Sequence, residues 1–145
     1  MPILNGIIDA WGAMIVIRVG ATTRRIASLR KVGRPEPGSM DILALLDTGA
    51  SCSALDRHII RQLDVESRGF VSIHTPSTGA GYVDRDSFDV SFTLGATGLG
   101  PIEISSEVIE ADFAHQGFYA LIGRDVLSRC ILTYNGPSQR FSLEF

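Results

Sequence analysis

Hydrophobicity along this chain repeats every second residue, and that period restricts the fold more than any other feature. Ile15, Ile17 and Val19 alternate with Val16 and Arg18. Phe88, Val90, Phe92 and Leu94 alternate with Asp89, Ser91 and Thr93, and Ile102 and Ile104 with Glu103 and Ser105. Successive side chains of a strand point to opposite faces, so such runs describe half-buried antiparallel strands. The glycine-rich stretch Gly95–Pro101 between the last two reads as a hairpin connection. The helical period is weak and local. Leu55, Ile59, Ile60 and Leu63 share one helix face, with Asp56 or Ser53 available as N-cap. A second short helix is expected over Arg124–Arg129, with Val126 and Leu127 inward. The expected class is all-β: a small, partly closed barrel with one or two short helices.

Composition narrows the function. With 145 residues, 45% of them hydrophobic, residues 1–145 form one domain with enough surface to bury a core. The longest apolar run, Ala10–Ile17, is too short to span a bilayer. Met1–Ala10 carries Asp9 and lacks the positive start of a signal peptide. Cys52 and Cys130 are too few for a disulfide scaffold, so a cytoplasmic protein with reduced thiols is expected, with no membrane partner. A net charge of −3 argues against a nucleic-acid partner. Residues 18–34 nonetheless hold Arg18, Arg24, Arg25, Arg30, Lys31 and Arg34 and no acid. Such a run reads as the solvated face of a hairpin or loop, or else as a patch for an acidic partner. His58, His74 and His115 are not spaced as metal ligands, so no metal and no cofactor are expected. Cys52 beside His74 is a formal thiol-nucleophile pair, against which stands the simpler reading of a small apolar side chain. No Gly-x-Ser-x-Gly elbow is present.

The chemistry concentrates in Leu43-Ala-Leu-Leu-Asp47-Thr48-Gly49-Ala50-Ser51. An apolar strand runs straight into an acid. A carboxylate placed beside a core is costly unless hydrogen bonds hold it or it shares a proton. Gly49 allows another backbone to approach closely. A strand-end Asp that makes only a local turn is the plainer alternative. Asp47-Thr48-Gly49-Ala50-Ser51 after a hydrophobic strand resembles the active-site motif of aspartic proteases. Further along, Ala120-Leu121-Ile122-Gly123-Arg124-Asp125-Val126-Leu127 is similar to the hydrophobic-hydrophobic-Gly motif of the retropepsins, with a Gly-Arg-Asp continuation of the retroviral type. The resemblance covers Ala13 to Phe145.

That resemblance implies a retropepsin-like acid-protease barrel with one lobe per chain. The implied function is a homodimeric aspartic endopeptidase cutting extended polypeptides, with apolar residues flanking the scissile bond. A catalytically weak peptide-binding or dimerisation module is the alternative. Catalysis would fall to Asp47, Thr48 and Gly49. Only one Asp-Thr-Gly occurs here, so the second aspartate of the dyad would come from a second copy across a twofold axis. Two adjacent carboxylates share one proton, which makes acidic to mildly acidic conditions the default. A flap is implied over Phe70–Val83, its tip at 76–81, with Ser77, Thr78, Gly79 and Ala80 joining Gly49 and Ala50 on the substrate backbone. Gly123, Arg124 and Asp125 would serve structure and dimer. Ser51 stands where many retroviral enzymes have an acid, so Arg124 is expected to bond a carbonyl or the surroundings of Asp125 instead. Phe141–Phe145 alternates as a strand, either at the dimer interface or closing the barrel, and Pro2–Ile8 is a second interface candidate.

Overall fold

The computed structural model describes residues 2–74, 79–95 and 102–145 and, of Ile102 and Ser105, the backbone alone. Ten strands follow the chain as β1 (Ile3–Asp9), β2 (Gly12–Ala21), β3 (Met40–Leu46), β4 (Ala54–Asp56), β5 (Ser67–Ile73), β6 (Val83–Leu94), β7 (Ile102–Ala111), β8 (Ala120–Ile122), β9 (Ile131–Asn135) and β10 (Arg140–Glu144). Three helices interrupt them: α1 (Thr23–Lys31), α2 (Arg57–Gln62) and α3 (Arg124–Leu127). The strands lie in the order β5-β6-β7-β4-β8-β3-β2-β1-β10-β9, and β2 also pairs with β6. That extra pairing closes six strands, β6 to β2, into a small barrel. The expected all-β, partly closed architecture is what the chain adopts.

The alternating runs carry the barrel. Ile15, Ile17 and Val19 of β2 and Phe88, Val90, Phe92 and Leu94 of β6 all point into one buried cluster. Met14–Val19 pair with β3, while Ile17–Ala21 pair with β6. Both edges of β2 are thus used at once, which explains why its ten residues stay in register. The other face of β3 and β4 carries a second cluster, with Met14, Ala54, Ile109, Phe113 and Phe118 buried. Leu43, Leu45, Val71 and Ile73 pack against it from β3 and β5. The Gly95–Pro101 connection lies, apart from Gly95, outside the described residues; the strands on either side pair antiparallel as a hairpin would.

One expectation is overturned. The middle of the basic segment is not a hairpin or loop: residues 23–31 form α1, with Arg18 in β2 before it and Arg34 past its end. The Thr22 hydroxyl accepts from the Arg25 amide and caps it, while Arg30 and Lys31 sit in its last turn, where cations favour the helix dipole. Four of the six cations are paired. Arg18 pairs with Asp41, Arg25 with Asp64 and Glu66, Arg30 with Glu36, and Arg34 with Asp64. The helix over Arg124–Arg129 is shorter than expected and ends at Leu127.

Asp56 links strand to helix. Its carboxylate is buried and accepts from the His58 amide at 2.8 Å, capping α2, and from the buried Phe113 amide at 2.9 Å. Burial pushes its pKa up, but the Phe113 and His58 amides and the His58 ring outweigh that, leaving it below the ordinary carboxylate value. A depressed folded-state value means stability that is present above the unfolded pKa and lost as pH falls through the folded one. Asp56→Ala is expected to cost about 1 kcal/mol for the cap and about 1–3 kcal/mol for the orphaned Phe113 amide. Urea midpoints at pH 7 measure the sum. The gap between wild type and variant should narrow as the pH is taken below about 4; a gap constant down to pH 2.5 would contradict this role.

Candidate active site

Asp47 follows the last residue of β3. The strand is held by parallel pairing to β8, with Ala44, Leu45 and Leu46 opposite Ala120, Leu121 and Ile122. The Asp47 amide extends the ladder by donating to the Ile122 carbonyl at 2.9 Å. The two motifs recognised separately in the sequence are therefore adjacent strands. Alternation along β3 sends Ile42, Ala44 and Leu46 into the barrel core. It places Leu43, Leu45 and then Asp47 on the opposite face, where the second apolar cluster lies. That cluster reaches Val71 and Ile73 of the β5–β6 hairpin, so one apolar layer runs from the strand bearing Asp47 to the hairpin.

The loop after Asp47 is fixed by hydrogen bonds from both ends. The Gly49 amide donates to Asp47 Oδ1 at 2.9 Å, which orients the carboxylate. A side chain at Gly49 would bring its Cβ to 3.1 Å from that same oxygen, so glycine keeps the approach open. Thr48 and Gly49 are exposed and Asp47 is half-buried. Arg124 answers the question left by Ser51: its Nη1 donates to the Thr48 carbonyl at 2.9 Å and the Gly49 carbonyl at 3.0 Å. The Arg124 amide donates to the Ala50 carbonyl at 2.9 Å.

Asp125 works from beneath. It accepts from the Ser53 amide at 3.0 Å and the Ser53 hydroxyl at 2.8 Å. The same hydroxyl, fully buried, accepts from the Gly123 amide at 3.0 Å. Ser53 is the residue that sequence reasoning missed. It was a candidate N-cap for α2, a role Asp56 fills instead, and its real partners lie about seventy residues away in the chain. No local pattern signals such a contact.

Of the implied flap, Phe70–Ile73 and Val83 belong to the paired strands β5 and β6, with Ile73 opposite Val83. Gly79 and Ala80 are exposed in the turn, Gly79 at φ +61°, a conformation that favours glycine. Ser77 and Thr78 lie outside the described residues. Cys52 and Cys130 are free, half-buried thiols pushed up in pKa by burial, Cys52 further by the Asp125 charge. A raised thiol is a poorer nucleophile at neutral pH, which argues against cysteine chemistry. His74 bonds the Gly81 carbonyl through Nδ1 at 2.8 Å and packs on Tyr82.

No protein-family model and no curated protein matches this sequence. Among solved structures, the chain is similar to a retropepsin-like aspartic protease from Rickettsia conorii, with a TM-score of 0.58 and 14% sequence identity over 99% of this chain and 90% of that one. The likeness is one of fold, and the fold is the retropepsin-like one that the two motifs imply.

Proposed function

We propose that the chain is one lobe of a homodimeric aspartic endopeptidase. The observation that carries this reading is the setting of Asp47: a carboxylate at the end of a core strand, fixed by Gly49, on a loop that Arg124 ties to the neighbouring strand's motif. In a dimer, Asp47 and the partner's Asp47 face each other across a water and hold one proton between them. The ionised carboxylate takes a proton from the water as it attacks the scissile carbonyl carbon. The protonated one gives its proton to the carbonyl oxygen. Collapse of the tetrahedral adduct then breaks the C–N bond, and the amine leaves with a proton returned from the dyad. Water is the nucleophile and no cofactor is required.

The apolar layer running from Leu43 and Leu45 to Val71 and Ile73 suits a substrate with apolar side chains flanking the bond. The β5–β6 hairpin over that layer, with Gly79 and Ala80 in its turn, suits a flap that closes on an extended peptide and excludes water. The alternative, a catalytically weak peptide-binding or dimerisation module, would gain from a basic segment that docked an acidic partner, and four of the six cations of that segment, Arg18, Arg25, Arg30 and Arg34, are already paired within the chain. Hydrolysis of a mixed peptide library by wild type and by Asp47→Asn tests the proposal.

A further inference from the structure

The face of the sheet that carries the apolar layer does not end at its apolar residues. Cross-strand register runs one row of side chains from Leu45 through Leu121, Ala54 and Ile109 to Ser87. Cross-strand partners share a face of the sheet, and so do residues two apart on a strand. The next row on that face, two residues away along β6 and β7, is Asp89 opposite Glu107. Here the surface changes from apolar to charged. Arg68 Nη1 bridges the row, donating to Asp89 at 3.1 Å and to Glu107 at 3.2 Å.

Three open cavities follow this line and share walls. The first, about 360 Å³, lies against Val71 and Ile109 of the apolar layer and reaches Ser106, Glu107 and Arg129. The second, about 350 Å³, continues from Ser106 and Glu107 to Asp89, Arg68 and Arg24. The third, about 250 Å³, shares Arg24, Arg68 and Asp89 with it and reaches Ser28 and Glu66. Together they form one groove from the apolar layer to the start of α1. Its acids are all engaged. Asp89 and Glu107 hold Arg68, Glu66 holds Arg25, and Asp125 accepts from the Ser53 amide and hydroxyl. Two of its cations are not: among the described residues, Arg24 and Arg129 have no carboxylate partner.

Resting on the protease reading above, we propose that this groove takes the distal part of the same extended polypeptide, and that Arg24 pairs there with an acidic side chain of the substrate. The charge the groove leaves uncompensated is positive, so an acidic segment is the occupant that fits. The substrate itself, rather than a separate acidic ligand, fits because the groove continues the face that carries the apolar layer. The reach is also suitable. From Ile109 to Glu107 along β7 is about 7 Å, and from β7 across β6 to Ala21, just before α1, is roughly 10 Å. An extended peptide covers that distance in about four to six residues.

Hydrolysis and binding of three peptides test this. All carry the same apolar centre, and they differ in having Asp, Asn or Lys at about four to six residues from it. Wild type should favour the Asp peptide over the Asn peptide up to about fivefold, the range of one exposed ion pair. The preference should appear in KM, with kcat unchanged. Arg24→Glu should remove it and favour the Lys peptide instead. Arg24 is exposed, so this variant should melt like wild type. Lys31→Glu, two turns along α1 and outside the groove, should keep the Asp preference. Binding is read in parallel by fluorescence anisotropy with Asp47→Asn, alone and combined with Arg24→Glu. A wild type that does not distinguish Asp from Asn would overturn the groove. So would a preference that survives Arg24→Glu, or one that Lys31→Glu lowers equally. In those cases Asp47-dependent cleavage of the Asn peptide would leave the protease reading intact. Asp-dependent binding that Arg24→Glu abolishes, with no cleavage by wild type, would uphold the groove and sink the protease. Binding of none of the three peptides, with no cleavage, would overturn both.

Discussion

If Asp47 acts as proposed, Asp47→Asn is expected to abolish peptide hydrolysis while leaving the fold and the proposed dimer in place. The amide is nearly the shape of the carboxylate, and its oxygen still accepts the Gly49 amide that fixes the loop. Thr48 and Gly49 keep their bonds to Arg124, which involve backbone carbonyls alone. What is lost is the proton chemistry: an amide neither accepts a proton from the water nor shares one with a facing copy. General acid–base catalysis of this type contributes roughly 10²–10⁴-fold. In the proposed C₂ dimer the substitution replaces both members of the dyad at once, so a fall in kcat/KM at the upper end of that range is expected. A mixed peptide library incubated from pH 3 to 7, with product ends sequenced, gives the cleavage preference in the same experiment. Apolar residues on both sides of the cut bond would agree with the layer joining Leu45 to Ile73. Equal cleavage by wild type and variant would remove Asp47 from the mechanism. Cleavage by neither, from a folded dimer, would favour the binding module.

How much of this was legible in the sequence follows from the range of the interactions involved. Period-two alternation is local, and it located β2, β6 and β7. The α2 helix was legible because Ile59, Ile60 and the Asp56 cap lie within a few residues of one another, although Leu55, expected on the same helix face, belongs to β4. The two motifs were legible by resemblance; that they are adjacent parallel strands is a finding of the structure. The absence of an acid at Ser51 was enough to send Arg124 towards a carbonyl, as observed.

The failures are of the opposite kind. Helix α1 buries only Leu29 completely, so its apolar signal is drowned by Arg24, Arg25, Arg30 and Lys31. It is held by its Thr22 cap and by Arg25, whose Nε donates to the Asp64 carbonyl and whose Nη1 reaches Glu66. Those acids are some forty residues further along. The charge run read as a hairpin or loop face, or else as a patch, because most of its partners are distant in sequence. Ser53 was misassigned for the same reason: a serine near a helix start suggests a cap, and only the tertiary fold brings Gly123 and Asp125 to it.

Gly123→Ala is the substitution expected to damage the molecule most from outside the proposed catalytic carboxylate. Gly123 has φ −92° and ψ −173°, a conformation any residue adopts, so backbone freedom is not its reason for being there. Space is. A Cβ at this position would lie 2.7 Å from the Cys52 carbonyl carbon, 2.8 Å from the Cys52 oxygen and 3.0 Å from the Ala50 oxygen. All three are backbone atoms, and no rotamer change relieves them. The loop after Asp47 and the start of α3 would have to separate. Their bonds oppose it: Gly123 amide to Ser53 hydroxyl, Arg124 amide to Ala50 carbonyl, and Arg124 Nη1 to the Thr48 and Gly49 carbonyls. Overpacking of a well-filled site costs about 1–3 kcal/mol, occasionally more, and the loss of shared hydrogen bonds places this case at the upper end. The catalytic consequence exceeds the loss of stability. A displacement of about 1 Å at the residues that position a reacting group costs on the order of 10²-fold in rate, and here Asp47 moves with the loop. Gly38→Ala is the control: it is exposed and its Cβ would meet nothing within 4 Å, so a change within about 0.5 kcal/mol is expected. Thermal melts and kcat/KM on the two variants separate the outcomes. A Gly123→Ala protein that melts and cleaves like wild type would show that the two backbones can part freely, and that the close crossing does not position Asp47.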